Sequence, residues 1–141
     1  MQQYLNFFFQ HWVLTTLLIV IFLAIFVFEK FFYISNARKI ITATESVNLI
    51  NHENALVLDV RDRLVFKAGH IVNSVNIPMQ DIEQSWNKLE QYKNRIIIVI
   101  CQGGQRANLA ANILTKHNFI NVKVMANGIS GWQQANLPLD K

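Results

Sequence analysis

With 141 residues the chain has room for one compact domain, and its 52% hydrophobic content is concentrated in an N-terminal third where phenylalanine clusters, so that third is set aside before the domain is counted. The 13 Lys and Arg against 9 Asp and Glu give a formal charge of +4, but the signs alternate along the chain without a long basic run, which argues against nucleic acid as a partner. The single cysteine excludes an intrachain disulfide and a C-x-x-C metal pair; no metal or cofactor is expected, and Cys101 has to be explained alone.

From Val13 to Phe28 the sequence carries no charge, and residues 7–28 together are long enough, at about 1.5 Å per residue, for a hydrocarbon layer of about 30 Å. This predicts one transmembrane helix within an N-terminal anchor of residues 1–35, in contact with the lipid bilayer. Trp12 and Tyr33 serve as the interfacial aromatics, and His11 and Lys30 mark the polar limits. A buried core helix and a cleaved signal peptide are the competing readings, the latter because Ser35-Asn36-Ala37 resembles a small-x-small cleavage site. No Lys or Arg precedes the apolar run, however, and the run is long for a signal-peptide core. Lys30, Arg38 and Lys39 follow the helix, against the amino terminus alone before it, so the positive-inside bias places the C-terminal domain in the cytoplasm. Reducing conditions there suit an unpaired thiol.

Residues 36–39 read as a short polar linker opening a domain over 36–141. Thr42-Ala-Thr-Glu45 is a capping box that starts a helix running to about Asn51. Residues 55–60 and 95–101 are short apolar runs rich in branched side chains and without alternation, the pattern of central parallel strands covered on both faces. Between them, residues 74–78 predict a shorter strand ended by Pro78, and residues 81–92 a helix with Ile82, Trp86 and Leu89 on one face. Beyond Cys101, Ala107, Ala110, Ala111 and Leu114 recur at helical spacing; residues 122–125 follow as a last strand, and residues 129–135 as a short helix before Leu137-Pro138. Strands alternating with helices over short connections predict an α/β domain with a mostly parallel sheet of about five strands. Ligands bind beyond the carboxyl ends of such strands. Asp59 finishes one central run and Cys101 another, so both are expected on one rim.

Between strand and helix lies Cys101-Gln102-Gly103-Gly104-Gln105-Arg106. The two glycines permit a tight ring whose backbone N–H groups point inward, an anion nest completed by the start of a helix. A cysteine at its centre, with Arg106 nearby, is favoured as the thiolate and becomes a nucleophile at neutral pH. The plain alternative is a small buried hydrophobe.

Asp59-Val60-Arg61, Gly69-His70-Ile71, Asn76-Ile77-Pro78, the strand-borne Cys101 with Gly104 and Arg106, Gly128 with Trp132, and Leu137-Pro138 occur in an order and spacing that resemble the rhodanese family over nearly all of residues 40–141. The resemblance implies a doubly wound α/β domain of five strands. It also implies a sulfurtransferase in which Cys101 takes the outer sulfur of thiosulfate or another persulfide and passes it to a thiophilic acceptor. In that reading residues 102–106 form the substrate loop, with Arg106 holding the anionic donor, while Asp59 and Arg61 support it. Leu64 and Val65 stand where acidic residues are usual, Val72-Asn73 replaces a Pro-Gly turn, and Asn127 replaces the first of two glycines. The anchor resembles that of a bacterial membrane-bound subgroup, which implies a single-pass inner-membrane protein.

Plainer roles compete at several positions. Arg106 can be a first-turn surface arginine, Asp59 and Arg61 a structural ion pair, and His70 a loop residue bonded to backbone instead of a base for Cys101. Trp86 and Trp132 read as packing anchors. Two other functions remain open. One is a phosphatase or arsenate reductase of the Cys-x5-Arg type, although here only four residues separate Cys101 from Arg106, a ring suited to one sulfur atom and cramped for a phosphoryl group. The other is a tethered module that docks on a membrane-protein partner, with sulfur chemistry secondary or absent.

Overall fold

A computed structural model describes residues 12–36 and 39–141. The chain divides into two compact units, residues 1–35 and 36–141. In the first, helix α1 (Trp12–Asn36) is 25 residues long. Its side chains are described from Trp12 to Phe28, and nearly all of these are exposed and apolar. That uncharged stretch spans about 25 Å at 1.5 Å per residue, short of a hydrocarbon layer of about 30 Å. Among the described residues no helix is long and apolar enough to cross a membrane; the remainder of the expected span, residues 7–11, lies outside them.

The second unit is built around one sheet. Its strands are β1 (Lys39–Ile41), β2 (Leu56–Asp59), β3 (Val75–Asn76), β4 (Ile97–Ile100) and β5 (Val122–Met125), in the spatial order β1-β5-β4-β2-β3 with every pairing parallel. The helices between them are α2 (Ala43–His52), α3 (Arg63–Ala68), α4 (Ile82–Ser85), a 3-10 segment over Trp86–Tyr92, α5 (Gln105–Lys116) and α6 (Gly128–Gln134). The central strands β2 and β4 are buried at every residue, which is why their sequences lack alternation. Successive side chains still point to opposite faces. Ile97 and Val99 pack with Ala107, Ala110, Ala111 and Leu114 of α5 and with Ile82 and Leu89. Ile98 and Ile100 pack with Met125, Ile129 and Trp132 on the other face. The four alanine and leucine positions of α5 form the helix's buried stripe, and three of them are small enough to let it lie close on the sheet.

Helix α2 starts where its capping box directs. The Glu45 N–H donates to Thr42 Oγ1 at 3.2 Å and the Thr42 N–H donates to Glu45 Oε2 at 2.8 Å, satisfying two backbone donors at once.

Two local expectations are corrected and one helix is added. The segment 36–39, read as linker, ends α1 at Asn36 and begins the edge strand β1 at Lys39; the register Ile41↔Met125 and the pairing of Lys39 with Lys123 show that β5 recruits it. Residues 63–68 form a helix that apolar periodicity could not announce, because none of its residues is buried and Leu64 is 83% exposed. The single helix expected over 81–92 is one α-turn followed by 3-10 geometry, with Ile82 and Leu89 buried and Trp86 stacked on His117 at 4.1 Å between ring centroids. A 3-10 spiral places residues three apart on one side, which keeps Trp86 and Leu89 together.

Among the described residues, the five non-glycine residues with positive φ are all asparagines: Asn54, Asn73, Asn118, Asn127 and Asn136. Asparagine tolerates the left-handed region better than other side chains do. Asn73 and Asn127, the departures from a Pro-Gly turn and a glycine pair, therefore keep the backbone shape that glycine provides elsewhere.

Candidate active site

In this strand order the chain leaves β2 toward β3 on one side and leaves β4 toward β5 on the other, so the crevice between the ends of β2 and β4 is the topological switch point of the sheet. Asp59 and Ile100 are paired across it. Cys101 is the next residue after β4, only 2% exposed. Asp59 and Cys101 thus share the rim where a ligand of such a sheet sits.

The loop after Cys101 turns through Gly104, whose φ of 95° belongs to the left-handed region, and enters α5 at Gln105. The turn brings the Gly104 N–H back onto Cys101 Sγ at 3.0 Å. A backbone donor aimed at sulfur is a stronger partner for a thiolate than for a thiol. Gln102, Gly103, Gln105 and Arg106 are exposed around the buried sulfur. Arg106 lies in the first turn of α5, half exposed, with Nη1 4.0 Å from Asp62 Oδ2 in a loose surface pair that leaves the guanidinium accessible to an anion. The side-chain amide of Gln102 donates to Ser130 Oγ at 3.3 Å. What Gln102 turns to the loop interior is therefore its peptide group.

Asp59 and Arg61 form a buried ion pair beneath this rim, with exposures of 0% and 4%. Arg61 Nε lies 3.0 and 2.9 Å from the two carboxylate oxygens and Nη2 lies 2.7 Å from Oδ2, while the Arg61 N–H also donates to Oδ1 at 2.9 Å. Arg61 Nη2 further donates to the Gly69 carbonyl at 2.8 Å. Asn76 closes the network from β3, its amide donating to the carbonyls of Asp59 and Arg61 at 2.9 and 2.8 Å. A buried charge is tolerated when it is paired and hydrogen-bonded, and here the carboxylate accepts at both oxygens while the guanidinium donates through Nε and Nη2. The pair ties the end of β2 to the Gly69 turn and, among the described residues, bonds within that turn and not to the cysteine loop, a supporting arrangement.

His70 is turned elsewhere. Its Nδ1 is 3.2 Å from the Phe66 carbonyl, its ring stacks on Phe66 at 4.1 Å, and its backbone bridges Asp140. Trp132 is an anchor whose Nε1–H donates to the Pro138 carbonyl at 2.9 Å. Among the described residues no cluster of His, Cys, Asp and Glu could hold a metal ion.

A second set of contacts holds the loop from α6, and no periodicity signals it. The Ile129 N–H donates to the Cys101 carbonyl at 2.9 Å, and both the N–H and the hydroxyl of Ser130 donate to the Gln102 carbonyl, at 3.3 and 3.0 Å. Gly128 makes this approach feasible. A Cβ built there would lie 1.9 Å from the Cys101 carbonyl oxygen, and its φ is 50°. Gly128 stood in the sequence as part of a motif; its physical reason is visible only where α6 meets the loop.

Two shallow grooves flank the loop. One of about 260 Å³ runs along Gly103, Gly104, Gln105 and Asn108 to Asn127; another of about 180 Å³ lies between Gln102, Arg61, Gly69 and Gln133. A separate apolar groove between Ile50, Ile71 and Trp132 has no residue of the cysteine loop in its lining.

A parallel α/β domain thus seats one cysteine at the sheet's switch point, in a loop that turns a backbone N–H onto its sulfur and leads into a helix. Its family is the rhodanese-like domain, whose family model matches residues 42–135, and the chain belongs to that family. It is similar to the uncharacterized protein YibN of Escherichia coli (strain K12), with 36% identity over 99% of this chain and 97% of that one. A crystal structure of a rhodanese-related protein from Thermoplasma volcanium superposes with a TM-score of 0.66 at 29% identity, covering 72% of this chain and 97% of that one. The thiosulfate sulfurtransferase from Pseudomonas aeruginosa shares the fold, with a TM-score of 0.65 at 23% identity over 73% of this chain and 20% of that chain.

Proposed function

We propose that this protein is a membrane-tethered sulfurtransferase that carries sulfane sulfur as a persulfide on Cys101. The observation that carries the reading is the Gly104 N–H on Cys101 Sγ at the switch point, a backbone donor where a sulfur anion forms. In the loading step the Cys101 thiolate attacks the outer sulfur of thiosulfate. The new bond joins Sγ to that sulfur, the sulfur–sulfur bond of thiosulfate breaks, and sulfite leaves with the electron pair. In the discharge step a thiophilic acceptor such as cyanide or a thiolate attacks the terminal sulfur, and Cys101 departs as the thiolate. No external oxidant or reductant is required, because the sulfur moves with the same oxidation state from one thiophile to another. Arg106 binds the anionic donor at the mouth of the loop, residues 102–105 surround the transferred atom, and Asp59 with Arg61 holds the strand end beneath it.

The four-residue spacing between Cys101 and Arg106 favours sulfur over a phosphoryl group, since the ring accommodates one atom on Sγ more readily than a tetrahedral centre. Tethering rests on the uncharged run of residues 13–28 and on side chains of α1 that are apolar on all sides and exposed; such a helix is stable only in an apolar surrounding. Lys30, Arg38 and Lys39 orient the domain toward the cytoplasm of a bacterial cell.

The test is intact mass spectrometry of the full chain after thiosulfate treatment, beside Cys101→Ser. The native chain should gain one sulfur atom that cyanide removes, and the serine variant should gain none, because oxygen cannot carry a persulfide. A native chain without the adduct refutes the reading.

A further inference from the structure

We propose that Ser130, on the opposite side of the loop from the helix it leads into, is a positioning residue for sulfur transfer: with Gly128 and Ile129 it grips the carbonyl side of the cysteine loop, so that the N–H side faces the transferred sulfur. The inference rests on Cys101 as the sulfur carrier and assigns a part of the machinery outside the loop itself.

The argument starts from peptide planarity. In a trans peptide the carbonyl of one residue and the N–H of the next point in opposite directions, and the described residues contain no cis bond. The Cys101 carbonyl accepts from Ile129 N–H at 2.9 Å, so the Gln102 N–H is turned away from α6. The Gln102 carbonyl accepts from the Ser130 N–H at 3.3 Å and from the Ser130 hydroxyl at 3.0 Å, so the Gly103 N–H is turned away as well. The next N–H, that of Gly104, donates to Sγ. Two peptide units are thus set by α6 and a third by the sulfur itself.

Ser130 contributes more than a helix backbone could. Its hydroxyl donates to the Gln102 carbonyl and accepts from the Gln102 side-chain amide, which keeps that amide on α6 and off the mouth of the loop. Gly103 has no left-handed φ and open space around its α-carbon, so the peptide between Gln102 and Gly103 has little else to fix its rotation. Gly128 provides the clearance: a side chain there would collide with the carbonyl that Ile129 holds.

The negative charge of a persulfide lies on its terminal sulfur, one bond further out than Sγ, so it depends on donors of the outer part of the loop. Loss of the Ser130 hydroxyl leaves the Gln102 carbonyl held only by the longer bond from the Ser130 N–H, at 3.3 Å, and one orienting hydrogen bond is worth about a tenfold change in an equilibrium. The experiment compares the full-length native chain with Ser130→Ala and Ser130→Thr. Each is equilibrated with a fixed ratio of thiosulfate to sulfite, and the fraction carrying one extra sulfur is read by intact mass, with thermal melting alongside. The expected result is a roughly tenfold lower loading equilibrium for Ser130→Ala with a melting temperature near that of the native chain, and recovery in Ser130→Thr, which keeps the hydroxyl. Equal loading of Ser130→Ala and the native chain overturns the proposal while leaving the sulfurtransferase reading intact. So does a loss of loading that Ser130→Thr fails to recover. A native chain that never takes up sulfur overturns both.

Discussion

Gly128→Ala is the sharpest single perturbation of the joint between α6 and the cysteine loop. A methyl group at this position would begin 1.9 Å from the Cys101 carbonyl oxygen and 2.8 Å from its carbon, where real Cβ contacts do not come under 3.0 Å. The obstacle is backbone on both sides, so no side chain can swing away; α6 and the loop have to part by about 1 Å, at a cost of about 1–3 kcal/mol for overpacking. The φ of 50° adds about 1–2 kcal/mol for any L side chain. The sum is about 2–5 kcal/mol, and at about 4–8 °C per kcal/mol for a domain of this size the melting temperature should fall by about 10 °C or more. The Ile129 and Ser130 bonds to the loop lengthen in the same movement, so sulfur loading of Cys101 should fall in the fraction that remains folded. Gly103→Ala is the control, with nothing within 4 Å of its built Cβ and no left-handed φ, and should alter stability by no more than about 0.5 kcal/mol. The assay is thermal denaturation followed by circular dichroism, with loading measured well below the transition. If Gly128→Ala melts within about 2 °C of the native chain, or Gly103→Ala costs as much, the close approach is not what demands glycine and the reasoning fails.

Asp59→Asn should destabilise by about 3 kcal/mol, because it leaves Arg61 buried without a counter-charge; urea titration checks this, and a loss below about 1 kcal/mol would show that the pair is not needed to keep Arg61 in place. Asn73→Ala should cost about 1 kcal/mol while Asn73→Gly stays near neutral, since the position has a φ of 59°; equal melting of the alanine and glycine variants would contradict the left-handed argument. The full chain should remain in the membrane pellet after alkaline carbonate extraction, and protease added outside intact spheroplasts should leave the domain whole; extraction into the supernatant or outside cleavage would reverse the tethering or its orientation.

Much of the fold was legible because it depends on short-range pattern. Residues 55–60 and 95–101 read as covered strands since burial on both faces selects branched apolar side chains along the run without alternation, and the capping box at Thr42 works through atoms three residues apart. The fifth strand was not legible: β1 is three residues long and owes its existence to pairing with β5, more than 80 residues later. Helix α3 was missed for the opposite reason, since it buries nothing and leaves no periodic trace.

The site divides along the same line. That Cys101 ends a buried strand and enters a glycine loop before a helix follows from neighbours in the chain, and so does the closeness of Asp59 to Arg61, two residues apart. The sequence also determined a spacing of four residues between Cys101 and Arg106, because loop length is covalent. The expectation that Asp59 and Cys101 share one rim also held, but only the tertiary structure decided that β2 and β4 are immediate neighbours there, and that α6 returns from beyond β5 to hold the carbonyls of Cys101 and Gln102. The N–H bonds from Ile129 and Ser130 join residues 28 positions apart through backbone groups, and a backbone N–H or C=O is the same in every residue but proline. Sequence therefore carries no mark of which carbonyl a given N–H will meet; the packing of α6 against the sheet makes that choice, and it left its trace in the glycine at 128 and the hydroxyl at 130.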